Sequence, residues 1–144
     1  MLKVLIVEDH VILADILENF LEIGGYDVCG IAANVAEAVA LADLHNPDLA
    51  VLDYRMADGE FGSQIRAQLK NKTKMAILYA SGDPLEGKLT RLDGEAYIQK
   101  PYQMHDLLQA VRIVHEIKER HDISSLSFPK NFRLLKEPPR KLLA

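Results

Sequence analysis

The chain has 144 residues, 49% of them apolar, with 17 basic against 21 acidic side chains and a net charge of −4. This is the composition of one globular domain, without the basic excess that nucleic acid or an anionic membrane selects. Cys29 is the only cysteine, which excludes an internal disulfide and a thiolate metal cluster within the chain, and no apolar run approaches the ~18 residues of a membrane span. Glu8 and Asp9 interrupt the N-terminal apolar run too early for a signal peptide, so a cytoplasmic protein is expected.

In chain order, short apolar runs alternate with helical patterns. Lys3–Val7 reads as a first strand, and Val11–Ile23 as a helix with apolar Leu13, Ile16, Leu17, Phe20 and Leu21, stopped at Gly24-Gly25. Asp27–Ile31 is the second strand. Asn34 and Glu37, spaced as a capping box, open a second helix that ends before Asn46-Pro47. Leu49–Asp53 is a third strand, Phe61–Leu69 a third helix and Met75–Ala80 a fourth strand. The segment Gly82–Gly94 is rich in Gly, Pro and charge, so at most a short helix is expected there. Ala96–Gln99 is the fifth strand. The last helix, Met104 to Lys118, carries Met104, Leu107, Leu108, Val111 and Val114 on one stripe. Ile113 and Ile117 lie off that stripe and are expected to contribute to a partner or homodimer face.

After residue 119 the periodicity ends. Residues 120–144 hold three prolines and clustered basic residues, and read as a partly ordered tail without a separate effector domain. For residues 1–119, alternation at short loop lengths implies an α/β fold: a single doubly wound sheet of five parallel strands with helices on both faces.

The chemistry lies at the strand ends. In open parallel sheets, ligands bind beyond the carboxyl ends of the strands, where strand order reverses. Glu8 and Asp9 follow the first strand, Asp53 ends the third, Ser81 follows the fourth and Lys100 the fifth. Two carboxylates about 4 Å apart repel by roughly 4 kcal/mol at an effective dielectric near 20, so three together require a cation or a proton. Oxygen ligands of this kind suit Mg²⁺. Mg²⁺, a lysine and a hydroxyl can hold the oxygens of a phosphoryl group while a carboxylate accepts it, which makes Asp53 the phosphoacceptor. The five histidines show no metal-binding spacing.

The order and spacing of Glu8-Asp9, "VLDYRMADG", "YASG" and Lys100-Pro101 resemble the response-regulator receiver domain of two-component signalling, over nearly all of residues 1–119. The resemblance implies the flavodoxin-like strand order 2-1-3-4-5. It implies Mg²⁺ ligation by Asp9, Asp53 and the Arg55 backbone carbonyl, with Glu8 acting mainly through water. Ser81 and Lys100 would bind phosphoryl oxygens, Lys100–Pro101 would be a cis peptide, and Ser81 with Tyr97 would form the switch. A histidine kinase or histidine phosphotransfer protein would donate the phosphoryl group, and a downstream protein would read the result. The short Ser81–Lys100 segment resembles single-domain receivers with a reduced fourth helix. Two other readings use the same residues: a phosphohydrolase with an aspartyl-phosphate intermediate, and an interaction module independent of phosphorylation. The first is weakened by Arg55, which stands where such enzymes carry a second acid.

Overall fold

In the computed structural model, residues 2–70 and 75–139 are described. Strands β1 (Lys3–Val7), β2 (Asp27–Ala32), β3 (Leu49–Asp53), β4 (Ala76–Ser81) and β5 (Ala96–Gln99) form a parallel sheet in the order β2-β1-β3-β4-β5. The helices are α1 (Val11–Ile23), α2 (Val35–His45), α3 (Gln64–Gln68) and α4 (Met104–Lys118). Helices α1 and α4 pack on one face and α2 and α3 on the other. The strands read as continuous apolar runs because both faces are covered. In β1, Val4 and Ile6 enter the α1/α4 core while Leu5 and Val7 enter the α2/α3 core, the strand's period of two dividing them.

Local signals account for the helix ends. The Asn34 side chain accepts from the Glu37 N–H at 2.9 Å and donates to the Glu37 carboxylate at 2.8 Å, closing the start of α2. At the start of α1, His10 Nδ1 accepts from the Leu13 N–H at 3.2 Å. Helix α3 is shorter than the expected Phe61–Leu69, because Phe61 pairs with Arg55 and the Gly62 N–H is taken by the Tyr54 carbonyl at 2.7 Å. That turn consumes the residues that would have been its first turn.

No helix forms between β4 and β5. Leu85 and Leu89 are buried against the α2/α3 core in its place, and the Tyr79 hydroxyl donates to the Asp93 carbonyl at 2.9 Å. Gly94 lets this segment press on the sheet: a Cβ there would lie 2.8 Å from the Tyr79 ring.

The five expected strands stand in the expected order, and the tail adds a sixth. Strand β6 (Phe132–Leu134) pairs antiparallel with β5, Phe132 opposite Ile98 and Arg133 opposite Tyr97. Between α4 and β6, Ile123 and Leu126 lie against the α1/α4 core, and Phe132 is buried in it. Leu135 enters the opposite core, so the tail grips both faces and covers the β5 edge. This corrects the expectation for the last helix at Ile113, which is fully buried and offers no homodimer face, while Ile117 is partly buried against the same core. Among the described residues, no helix is long and apolar enough to cross a membrane.

Candidate phosphoacceptor site

The order β2-β1-β3-β4-β5 reverses between β1 and β3, and the register sets Val7 beside Leu52 and Asp53 beside Ala80. The residues following β1 therefore meet the end of β3 in one crevice. Glu8, Asp9 and Asp53 offer oxygens that all lie within 4.8 Å of one another. Across the same crevice, Lys100 Nζ lies 2.6 Å from Asp53 Oδ1 and 3.8 Å from Glu8 Oε1.

Burial sharpens the electrostatics. Glu8 and Asp53 are each only 5% exposed. Burial, the Asp53 hydrogen bond and the Asp53 charge push the Glu8 carboxyl up to about 7, against the downward pull of the His10 N–H and Lys100. One ammonium does not offset three converging carboxyls, and near neutrality a proton on Glu8 supplies part of the difference. Asp9 is more open and accepts from the Ala57 N–H at 2.6 Å. Tyr102, directly after the Lys100-Pro101 step, is held neutral to higher pH than an ordinary phenol, first by burial and then by the charges of Glu8 and Asp53.

The other predicted residues are placed as follows. Ser81 is buried at the end of β4; its hydroxyl donates to the Asp83 carbonyl at 2.8 Å and accepts from the Asp83 N–H at 3.1 Å. The Lys100–Pro101 peptide is cis. Tyr97 lies inward, 2% exposed, and its hydroxyl donates to Glu86; burial and that hydrogen bond push the phenol up to about 12. The Arg55 carbonyl accepts no hydrogen bond among the described residues. Its guanidinium reaches outward, 5.5 Å from the Phe61 ring centroid and 3.5 Å from Asp83 Oδ2, linking the loops after β3 and β4. The donor set fits a hard divalent cation: the three side chains whose oxygens converge are all carboxylates, with nothing softer among them.

Two contributors were missed by sequence reasoning. Gly62 passes so close to Asp53 that a Cβ would lie 2.3 Å from the Asp53 carbonyl oxygen. Its signal was present in "ADGEFG", where a second glycine follows the turn glycine. Asn131, in the tail, hydrogen-bonds to the main chain on either side of Lys100; no local pattern marks it.

With the geometry in hand, comparison places the chain among known proteins. The family model for the response regulator receiver domain matches residues 4–112. The transcriptional regulatory protein PdtaR of Mycobacterium tuberculosis is 30% identical over 149 residues, an alignment covering 98% of this chain and 72% of PdtaR. The response regulator receiver domain protein (CheY-like) of Methanospirillum hungatei JF-1 superposes with a TM-score of 0.71 at 26% identity, covering 83% of this chain and 98% of that one. A doubly substituted form of the anti-anti-sigma factor PhyR of Bartonella quintana gives 0.72 at 23% identity over 82% of this chain. This chain spans 50% of that longer protein, and the likeness is one of fold.

Proposed function

The chain belongs to the response regulator receiver family, and from that premise we propose that it accepts a phosphoryl group on Asp53 from a histidine kinase or histidine phosphotransfer protein and thereby changes its affinity for a downstream protein. The observation that carries this reading is the position of Asp53: at the end of the central strand, 5% exposed, with Lys100 Nζ at 2.6 Å and Glu8 and Asp9 oxygens within 4.8 Å.

Asp9, Asp53 and the Arg55 carbonyl would hold Mg²⁺, with Glu8 assisting through water. Bound there, Mg²⁺ neutralises the carboxylates and the charge of the incoming phosphoryl oxygens. An oxygen of Asp53 forms the new bond to phosphorus as the bond from phosphorus to the donor imidazole nitrogen breaks. Lys100 then leaves Asp53 for the phosphoryl oxygens, since the phosphorylated carboxyl no longer carries the charge that held it. Ser81 turns its hydroxyl from the Asp83 carbonyl toward the same group. That exchange loosens the loop after β4, which also carries Glu86 and so bears on Tyr97. The protein is read as a signalling acceptor with slow self-hydrolysis. Arg55, pointing outward to Asp83, supplies no general acid for rapid turnover.

Incubation with Mg²⁺ and acetyl phosphate, followed by intact-mass and peptide analysis, tests this. One added phosphoryl group, absent in Asp53→Asn, is expected. An unmodified wild type that also binds no beryllofluoride would overturn it, and steady multiple-turnover hydrolysis of phosphomonoesters would favour the phosphohydrolase.

A further inference from the structure

Asn131 ties the C-terminal strand to the main chain on both sides of Lys100. Its carbonyl oxygen accepts from the Gln99 N–H at 2.9 Å. Its side-chain amide donates to the Pro101 carbonyl at 3.1 Å and reaches the Gln99 carbonyl at 3.5 Å. From the other side, the Lys100 N–H donates to the Ser81 carbonyl at 2.7 Å. Residues 99–101 are thus pinned between β4 and the tail.

The tie is itself firmly placed. Phe132, the next residue, is 1% exposed, and its ring meets Phe128 edge to face at 5.1 Å. The Phe132 N–H donates to the Pro129 carbonyl at 3.1 Å, closing a turn that presents Asn131 to β5. Lys100, by contrast, has a long and partly exposed stem, and its ammonium reaches Asp53 at 2.6 Å only from the end of that stem. Where its Cα sits decides whether Nζ reaches the crevice, and a fixed Cα leaves only rotamer freedom to be lost. Residue 131 also lies outside the segment matched by the receiver family, residues 4–112.

We propose that Asn131 is a positioning residue for Lys100, which makes the C-terminal strand part of the phosphoacceptor site. The proposal rests on the reading of Asp53 as phosphoacceptor and adds to it a dependence on the tail. The chemistry requires an amide. Aspartate has the same shape but only acceptors when ionised, and at residue 131 it would set a carboxylate against two carbonyl oxygens.

The test uses the full chain carrying Asn131→Ala or Asn131→Asp, each alone and combined with Lys100→Ala. The readouts are the rate of Asp53 phosphorylation by acetyl phosphate with Mg²⁺, and the NMR signals of the Lys100 side chain in metal-free protein. Each single variant is expected to slow phosphorylation by about 2- to 10-fold, the effect of one hydrogen bond, and to shift the Lys100 signals. Neither is expected to slow Lys100→Ala further, because the effect passes through that lysine. Unchanged rates and Lys100 signals in both single variants would overturn the proposal, as would an equal slowing in the Lys100→Ala background. A wild type that takes no phosphate, while Asn131→Ala still moves the Lys100 signals, would overturn the phosphoacceptor reading and support the tie.

Discussion

Lys100 Nζ lies 2.6 Å from Asp53 Oδ1, and the two residues reach that distance from strands β5 and β3, with β4 between them. The contact spans the crevice, so Lys100 also lies 3.8 Å from Glu8. A lysine so placed compensates buried carboxylate charge and, on the proposed reading, would meet the phosphoryl oxygens once Asp53 is phosphorylated.

Lys100→Ala is therefore expected to reduce the rate of Asp53 phosphorylation by about 100-fold, the loss typical when one fixed donor to a developing anion is removed. Stopped-flow or mass-spectrometric rates with saturating acetyl phosphate measure it; a rate within about twofold of wild type would show that the ammonium serves only the resting state.

Glu8 gives the metal-free protein a defined pH dependence. Its folded carboxyl keeps its proton up to about 7, whereas the unfolded one ionises near 4.5. Between those values the folded state binds more protons, so this group's contribution to stability falls as pH rises through the window and is fully lost above it. Metal-free Glu8→Gln is expected to be more stable than wild type at pH 8, with the advantage gone at pH 4. Urea denaturation at the two pH values decides the matter, and an advantage equal at both would exclude the Glu8 proton as its source.

Mg²⁺ held by the proposed ligands would draw on the same proton. Cation binding and the Glu8 proton compete, so apparent Mg²⁺ affinity is expected to climb with pH through about 7 and then level off, with proton release on binding. Calorimetry in buffers of different ionisation enthalpy reads the released proton directly. In Glu8→Gln both the proton release and the rise across that range should disappear.

Gly62→Ala tests the close approach at the acceptor's own backbone. The added Cβ would sit 2.3 Å from the Asp53 carbonyl oxygen, a main-chain atom, so the loop or the end of β3 must move. The expected cost is about 1–3 kcal/mol of stability, as for overpacking elsewhere, together with slower phosphorylation. A urea midpoint and rate equal to wild type would show that the loop yields without strain.

The tail's role in the body can be measured at Phe132, which is 1% exposed in the α1/α4 core, opposite Ile98. Phe132→Ala is expected to lower the unfolding free energy by about 3–5 kcal/mol, the usual range for a buried phenylalanine. A loss below about 1 kcal/mol in urea denaturation would mean that the β6 edge contributes little to folding.

Much of this molecule is legible in the sequence. Lys3–Val7, Leu49–Asp53 and Ala96–Gln99 are bounded as expected, since a strand buried on both faces is a short apolar run closed by polar or turn residues. The start of α2 is readable from Asn34 and Glu37, because a capping box is a local arrangement of a few residues. The acids, Ser81 and Lys100 follow from the same cause: a strand end is visible in one dimension, and a parallel sheet brings its strand ends to one edge.

The tertiary structure alone decided the rest. Strand β6 is three residues long and has no usable period; it exists because the β5 edge offers unpaired backbone groups and Phe132 finds a buried site. Ile113, which the helical stripe placed outside, is buried in the core that the same tail completes. The proton on Glu8 depends on carboxylates brought together from distant strands, and the hold of Asn131 on Lys100 depends on a strand paired from outside the repeating pattern. Periodicity and capping are properties of neighbours along the chain and can be read from it. Desolvation and edge pairing arise from whatever the fold brings alongside, so they take shape only once the chain has closed on itself.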